Sequence, residues 1–211
     1  MLAPMSHIAG RMAPAIAHNE LGRAPARVLV LGAGHAGQAA AEAARKMGAQ
    51  VTVLRRATAT PDAVERGALE ADLVVGAVFA AGEATPKLLP RALVKRMKRG
   101  AVIVDISIEE GGVAETSRPT THEDPTYVEE GVVHYCVGNM PAAWPREASA
   151  AISQAALPYV LDMGREGIDE AVEHDLDLRA GTLLWEGRVV HAGIAEEADL
   201  PYTSLSAAIH A

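Results

Sequence analysis

The chain has 211 residues, 49% hydrophobic and 22% charged, and a formal net charge of -8. That length and apolar content can build a sizeable core, and the acidic balance argues against a nucleic-acid or anionic-membrane surface. One cysteine, Cys136, excludes an intramolecular disulfide and a cysteine-rich metal site.

In chain order, Ser6 to Ala17 reads as a short helix with Ser6 as N-cap. A linker containing Gly, Arg and Pro follows, from Leu21 to Ala26. Val28 to Leu31 is an apolar run of the buried-strand type. It ends in Gly32-Ala33-Gly34-His35-Ala36-Gly37 and enters an alanine-rich helix, Gln38 to Met47. Gly48 stops that helix, and Val51 to Leu54 reads as a second buried strand. Strand, glycine turn, helix and strand within about 30 residues is the spacing of a parallel βαβ unit. Between Arg55 and Ala71 there is room for one helix and no further strand. Leu73 to Val78 and Ala101 to Ile106 are two more apolar runs. They are separated by a helical stretch, Pro90 to Met97, and a Lys98-Arg99-Gly100 turn. Val132 to Val137 is a fifth candidate strand.

Five short strands with helical or loop connections indicate an α/β chain with an open, doubly wound parallel sheet of Rossmann-like type. From Pro145 the pattern changes to a helical and hairpin extension. Ala148 to Met163 is a long helix with a kink expected at Pro158, and Ile168 to His174 adds a further helical segment. Thr182 to Val190 reads as a hairpin turning at Glu186-Gly187, and Ser204 to Ala208 as a terminal helix. No run reaches the roughly 18 apolar residues of a spanning helix. The first 22 residues have no signal-type apolar core, so a cytoplasmic location is expected.

Gly32, Gly34 and Gly37 form a G-x-G-x-x-G between a predicted strand and a predicted helix. The first glycine permits the tight turn, the second lets a pyrophosphate approach the backbone, and the third lets helix and strand pack closely. His35 and Ala36 lie within the turn, at the helix N-terminus whose free N–H groups attract an anion; His35 reads as a spacer, not a base. The usual acidic ribose ligand at the end of the second strand is replaced by Arg55 and Arg56. Two readings stand: the arginines accept a 2′-phosphate, which admits NADP, or they are solvated at the strand edge. Glu115 and Arg118 are expected to form a loop-fixing ion pair, and Cys136 to act as a small hydrophobe. His122, Asp124 and His134 lack a familiar ligand spacing, so no metal is expected.

The run from Val104 to Pro141 is the most specific part of the sequence. It contains Glu115-Thr116-Ser117-Arg118-Pro119-Thr120-Thr121-His122 and Asn139-Met140-Pro141. With Pro4-Met5-Ser6, Ala9-Gly10-Arg11-Met12-Ala13 and Leu200-Pro201-Tyr202-Thr203, it resembles the alanine dehydrogenase and nicotinamide nucleotide transhydrogenase family over nearly the whole chain. The resemblance implies an NAD-dependent, reversible oxidative deamination of L-alanine to pyruvate and ammonia. It implies cofactor contacts at Ser6, at the glycine turn, at Val78 and Phe79, at Ile106, and at Asn139 and Met140. Glu109 takes the place of a catalytic aspartate, and Arg55 that of the ribose-binding aspartate. Residues 1–26 would be a connecting helix and linker, 27–145 the dinucleotide-binding domain, and 146–211 the C-terminal part of an incomplete substrate domain.

The family's N-terminal substrate domain, with its catalytic lysine and histidine and its carboxylate-gripping arginine, has no counterpart in this sequence, and the stretch between the second and third strands is short. The chain is therefore expected to be inactive alone. A separate chain carrying the substrate domain would be its partner, and an apolar face after Pro145 would drive homo-oligomerisation. The alternatives are a non-catalytic dinucleotide-binding module and a truncated gene product.

Overall fold

The computed structural model describes residues 2–79 and 85–210, which form two compact units, Met1–Ile152 and Ser153–Ala211. The first unit is built on a six-stranded sheet. Its strands are β1 (Arg27–Leu31), β2 (Gln50–Leu54), β3 (Leu73–Gly76), β4 (Val102–Asp105), β5 (Thr126–Glu129) and β6 (Val132–Tyr135), in the order β2-β1-β3-β4-β6-β5. All neighbours are parallel except β5 and β6. Strand order reverses between β1 and β3, the place where doubly wound sheets open a crevice at their C-terminal ends.

Alternation along the strands divides the core into two layers. Val28 and Val30 of β1, Leu73 and Val75 of β3, and Val102 and Val104 of β4 face α1 (Leu2–Leu21) and α2 (His35–Lys46). Leu29, Leu31, Val74 and Ile103 face the opposite way, towards α3 (Pro61–Glu70) and α4 (Arg91–Val94). Small residues set the spacing on the first face. The buried positions of α2 are Gly37, Ala39, Ala40, Ala41 and Ala44, and α1 presents Ile8, Ala9, Met12, Ala13 and Ala17 at helical spacing. The two helices meet at Gly10, where a Cβ would fall 2.1 Å from the Ala36 carbonyl oxygen.

The expected parallel sheet is present, with corrections. The first helix begins four residues earlier than expected, at Leu2, so Ser6 lies inside it and is not its N-cap. The second helix begins at His35, not Gln38, and the helix expected over Pro90 to Met97 is a single turn, Arg91–Val94. A sixth strand, β5, was not expected. It joins β6 through Glu130-Gly131, both at positive φ (52° and 79°), the signature of a two-residue hairpin turn. Glu186-Gly187, the expected hairpin turn, has the same geometry (44° and 80°).

A long helix, α5 (Pro145–Glu166), runs through Pro158. The second unit continues with α6 (Ile168–His174), α7 (Leu176–Gly181), the hairpin β7 (Leu184–Trp185) and β8 (Arg188–Val189), α8 (Ala192–Glu197) and α9 (Leu205–Ile209). Its small core gathers Val172, Val190, Leu205 and Ala208. No helix among the described residues is long and apolar enough to cross a membrane.

Asp72 ties the N-terminal ends of the strands together. Its carboxylate accepts hydrogen bonds from the backbone N–H groups of Ala26 (2.9 Å) and Arg27 (3.0 Å) and from Lys98 Nζ (3.0 Å). Burial by itself would raise its pKa, but Lys98 and the two amides outweigh it and hold the value at about 2, below the ordinary 3.8. The folded-state value is the lower one, so the stabilisation is complete above pH 3.8 and fades as pH falls towards 2. Asp72→Asn is expected to lower the unfolding free energy by about 2 kcal/mol at neutral pH. Urea unfolding of both proteins should show that gap closing between roughly pH 4 and pH 2.

Candidate dinucleotide site

The sheet register brings four chain segments to one edge. Leu31 pairs with Leu54 and with Gly76, and Gly76 with Asp105, so Gly32, Ala77 and Ile106 emerge side by side. Gly32 turns at φ 106°, and its N–H donates to the Leu54 carbonyl at 2.9 Å. A Cβ on Gly32 would lie 2.1 Å from the Ala77 carbonyl oxygen, and one on Gly37 2.0 Å from the Gly32 carbonyl oxygen. Both positions therefore exclude any side chain. Gly34 is different: a Cβ there would meet nothing within 4 Å. Its emptiness faces outward, above the start of α2.

That helix has no side-chain cap, and its first internal bond runs from Gln38 N to Gly34 O at 2.9 Å. The N–H groups of His35, Ala36 and Gly37 thus have no carbonyl within the helix, the arrangement that takes a phosphate. A backbone cradle that a side chain would fill, beside unclaimed N–H donors, fits a pyrophosphate.

Against this turn lies a cavity of about 320 Å³, at the lower end of the size range of small-molecule sites. Its walls come from α1 (Met5, Ser6, Ala9), the start of α2 (Ala36) and the segment after β3 (Ala77, Val78, Phe79). Ile106, Ser107, Glu109 and Glu110 follow β4, and Val137, Asn139, Met140 and Pro141 follow β6. Eight of the expected contact or catalytic residues, Ser6, Ala36, Val78, Phe79, Ile106, Glu109, Asn139 and Met140, therefore share one cavity. Gly32, Gly34, His35 and Gly37 form the adjoining turn. Arg55 and Arg56 are exposed beyond β2 and line no part of it.

The segment carrying Ile106 and Glu109 is fixed from beneath by Asp105, which is fully buried. Its carboxylate accepts from Ser107 N (3.2 Å), Val113 N (2.8 Å) and Ser117 Oγ (2.6 Å). Burial pushes its pKa up, against the downward pull of those three donors and Lys87. Gly76 and Gly112 make room for it, since a Cβ on either would lie within 2.7 Å of a carboxylate oxygen. Ser107 Oγ donates to the Val78 carbonyl (2.8 Å) and accepts from Val78 N (2.9 Å), tying two walls of the cavity together. Glu109 follows in a single 3-10 turn, Ile108–Glu110, with its carboxylate beside Gly138. Asn139 holds a left-handed conformation (φ 48°, ψ 51°) that Asn tolerates better than most residues.

Asp105, Ser107, Glu110 and Lys87 were not singled out from the sequence. Lys87 donates to the carbonyls of Gly111, Gly112 (3.0 Å) and Ala114 (3.2 Å). An acidic residue ending an apolar strand, followed by Ser and a Gly-Gly, was the available signal.

The expected Glu115–Arg118 ion pair does not form. Glu115 instead accepts from Arg91 N at 2.8 Å, and the Arg118 guanidinium stacks over Tyr127, 3.8 Å from the ring centroid. His134 is buried, between Thr116 Oγ1 (2.8 Å) and the Val132 carbonyl (3.0 Å). The carbonyl requires Nδ1 to carry the proton, and burial lowers the pKa of the ring. Cys136 lies just past β6, buried, its thiol pushed up to about 11 chiefly by burial.

The model of the alanine dehydrogenase/PNT C-terminal domain matches residues 12–66 and 55–192. The chain belongs to the alanine dehydrogenase/PNT family. It is 39% identical to an alanine dehydrogenase of Halomonas elongata over 99% of its own length and 65% of the relative's. Against an alanine dehydrogenase of Mycolicibacterium smegmatis the values are 38%, 96% and 64%. A solved L-alanine dehydrogenase superposes with a TM-score of 0.86 at 35% identity, over 95% of this chain and 64% of that one. A transhydrogenase from Sinorhizobium meliloti, 24% identical, shares the fold with a TM-score of 0.78 over 90% of this chain and 63% of that one. The chain thus spans just under two thirds of the length of these relatives.

Two details concern the length of the match. The Halomonas alignment runs over 242 positions, 31 more than the 211 residues of this chain, so the relative carries at least that many residues that are missing here. The two stretches matched by the family model overlap at residues 55–66, directly after β2.

Replacing Asp105 with alanine would leave the Val113 and Ser107 N–H groups and the Ser117 hydroxyl without their acceptor. Asp105→Ala is expected to cost at least about 3 kcal/mol of unfolding free energy, each orphaned buried donor costing roughly 1–3 kcal/mol. Chemical denaturation at neutral pH measures it, and a loss below about 1 kcal/mol would show that the network is not held by this carboxylate.

Proposed function

We propose that the first unit binds a nicotinamide dinucleotide at this edge, as the cofactor-binding component of an alanine dehydrogenase-type oxidoreductase. The reaction is the reversible oxidative deamination of L-alanine to pyruvate and ammonia. The observation that carries the reading is the juxtaposition of a side-chain-excluding glycine turn and an open-mouthed cavity at the point where strand order reverses.

In this reading the N–H groups of His35, Ala36 and Gly37 hold the pyrophosphate. Ser6, Val78, Phe79, Ile106, Asn139 and Met140 enclose the nicotinamide end, which when bound supplies the hydride acceptor. Glu109 is the one carboxylate of the expected catalytic set, projecting from the turn that Asp105 fixes. NAD is the proposed cofactor, and NADP is also admitted because Arg55 and Arg56 stand where a carboxylate would repel a 2′-phosphate. Residues 146–211 are assigned to the substrate domain of the complete enzyme. Homo-oligomerisation, and association with the remainder of that domain, complete the proposal. The exposed Ile152, Leu157, Val160 and Leu161 of α5, which buries no residue, support such association.

Gly34→Val tests the site cleanly, because the new side chain would meet open space in the free protein and clash only with a bound phosphate. The variant should unfold like the parent and lose NADH binding, read from nicotinamide fluorescence; undiminished binding would remove the glycine turn from the site.

The 211 residues alone should not oxidise alanine measurably. Orientation of substrate against the nicotinamide contributes about 7–11 kcal/mol to such a reaction, and general acid–base catalysis about 10²–10⁴-fold. The groups the family uses for both have no counterpart here. Alanine-dependent NADH formation by the purified chain is the measurement, and robust turnover would require a base and a carboxylate anchor within it.

A further inference from the structure

The crevice has two unequal sides. Doubly wound sheets place one mononucleotide of the ligand on each side of the point where strand order reverses. Here β3, β4, β6 and β5 lie on one side of that point, and only β1 and β2 on the other. The cavity belongs wholly to the larger side, and no residue between 37 and 76 lines it.

Over its aligned length the Halomonas relative carries at least 31 residues more in total, and the two stretches of the family match overlap at residues 55–66, on the smaller side.

What remains at the end of β2 has little to offer a ligand. Arg55 N donates to Thr58 Oγ1 (2.9 Å), and the Arg55 carbonyl accepts from Thr58 N (2.9 Å) and Ala59 N (2.8 Å). The backbone groups that leave the strand are thus consumed in a tight turn, and Thr60 Oγ1 is committed to capping α3. The carboxylate that would grip an adenosine ribose is replaced by Arg55, which is exposed.

We infer that this chain recognises its ligand through the nicotinamide mononucleotide half, so that the free mononucleotide binds about as well as the dinucleotide. The inference rests on the proposed cofactor site and adds that the adenosine half is not recognised. The phosphate of a mononucleotide reaches the same N–H groups at the start of α2, and its ring and ribose occupy the same cavity.

The test titrates the full chain with NADH and with reduced nicotinamide mononucleotide, following nicotinamide fluorescence, and measures displacement of NADH by ADP-ribose. The two nicotinamide ligands should have Kd values within about tenfold of each other, a difference of less than about 1.4 kcal/mol. ADP-ribose should bind more than about tenfold more weakly than NADH. A mononucleotide Kd above that range, or ADP-ribose competing within it, overturns the inference while leaving the dinucleotide site standing. If NADH itself does not bind, the proposed function falls and takes the inference with it.

Discussion

Backbone pressed on backbone at the ends of β1 and β3 sets the rest of the first unit. Gly32 and Gly37 have no room for a Cβ because carbonyl oxygens of Ala77 and Gly32 occupy that space. The contact fixes where α2 begins, and therefore where its unpartnered N–H groups point. It also fixes the approach of α1, whose Gly10 rests on Ala36, the second residue of α2. Through that second contact Met5, Ser6 and Ala9 become a wall of the cavity. A long helix outside the βαβ unit is thereby placed by its glycine turn.

A second level of support comes from beneath the cavity. A buried carboxylate is costly unless its lone pairs are satisfied, and Asp105 is satisfied by donors from both limbs of the loop that follows it. The arrangement ties both limbs of the segment 106–117 to one carboxylate, and that segment carries Ile106 and Glu109. Catalytic constellations need positioning to a fraction of an ångström, and a network of fully paired polar groups is a physical means to it.

The parallel strands were legible because each is a short, continuous apolar run bounded by turn residues, the pattern of a strand buried on both faces. β5 escaped for the opposite reason: Thr126-Tyr127-Val128-Glu129 is half-exposed at the sheet edge and lacks that pattern. Its Glu130-Gly131 turn was as readable as Glu186-Gly187, which was read correctly. The start of α1 was misplaced because Ser6 looks like a cap, yet tertiary packing along Ile8, Met12 and Ala13 extends the helix past it. At the site, the glycine turn and the Asn139-Met140 loop were visible as motifs. The Asp105 network was not, since it depends on which loop folds back over the strand end. The Glu115–Arg118 pairing failed because proximity in sequence said nothing of Arg91 and Tyr127.

The first layer of the core is unusual in being lined largely by alanine, at Ala9, Ala13 and Ala17 on one helix and Ala39, Ala40, Ala41 and Ala44 on the other. Alanine surrenders almost no rotamer freedom on burial, so these helices gain little from bulk and much from closeness. The consequence is an asymmetry in evolutionary tolerance. Most replacements for alanine are larger, and enlarging a close-packed position forces strained rotamers or backbone movement. Along this seam drift is therefore constrained chiefly by side chains that are too big, whereas the Val- and Leu-rich layer across the sheet is constrained by those that are too small.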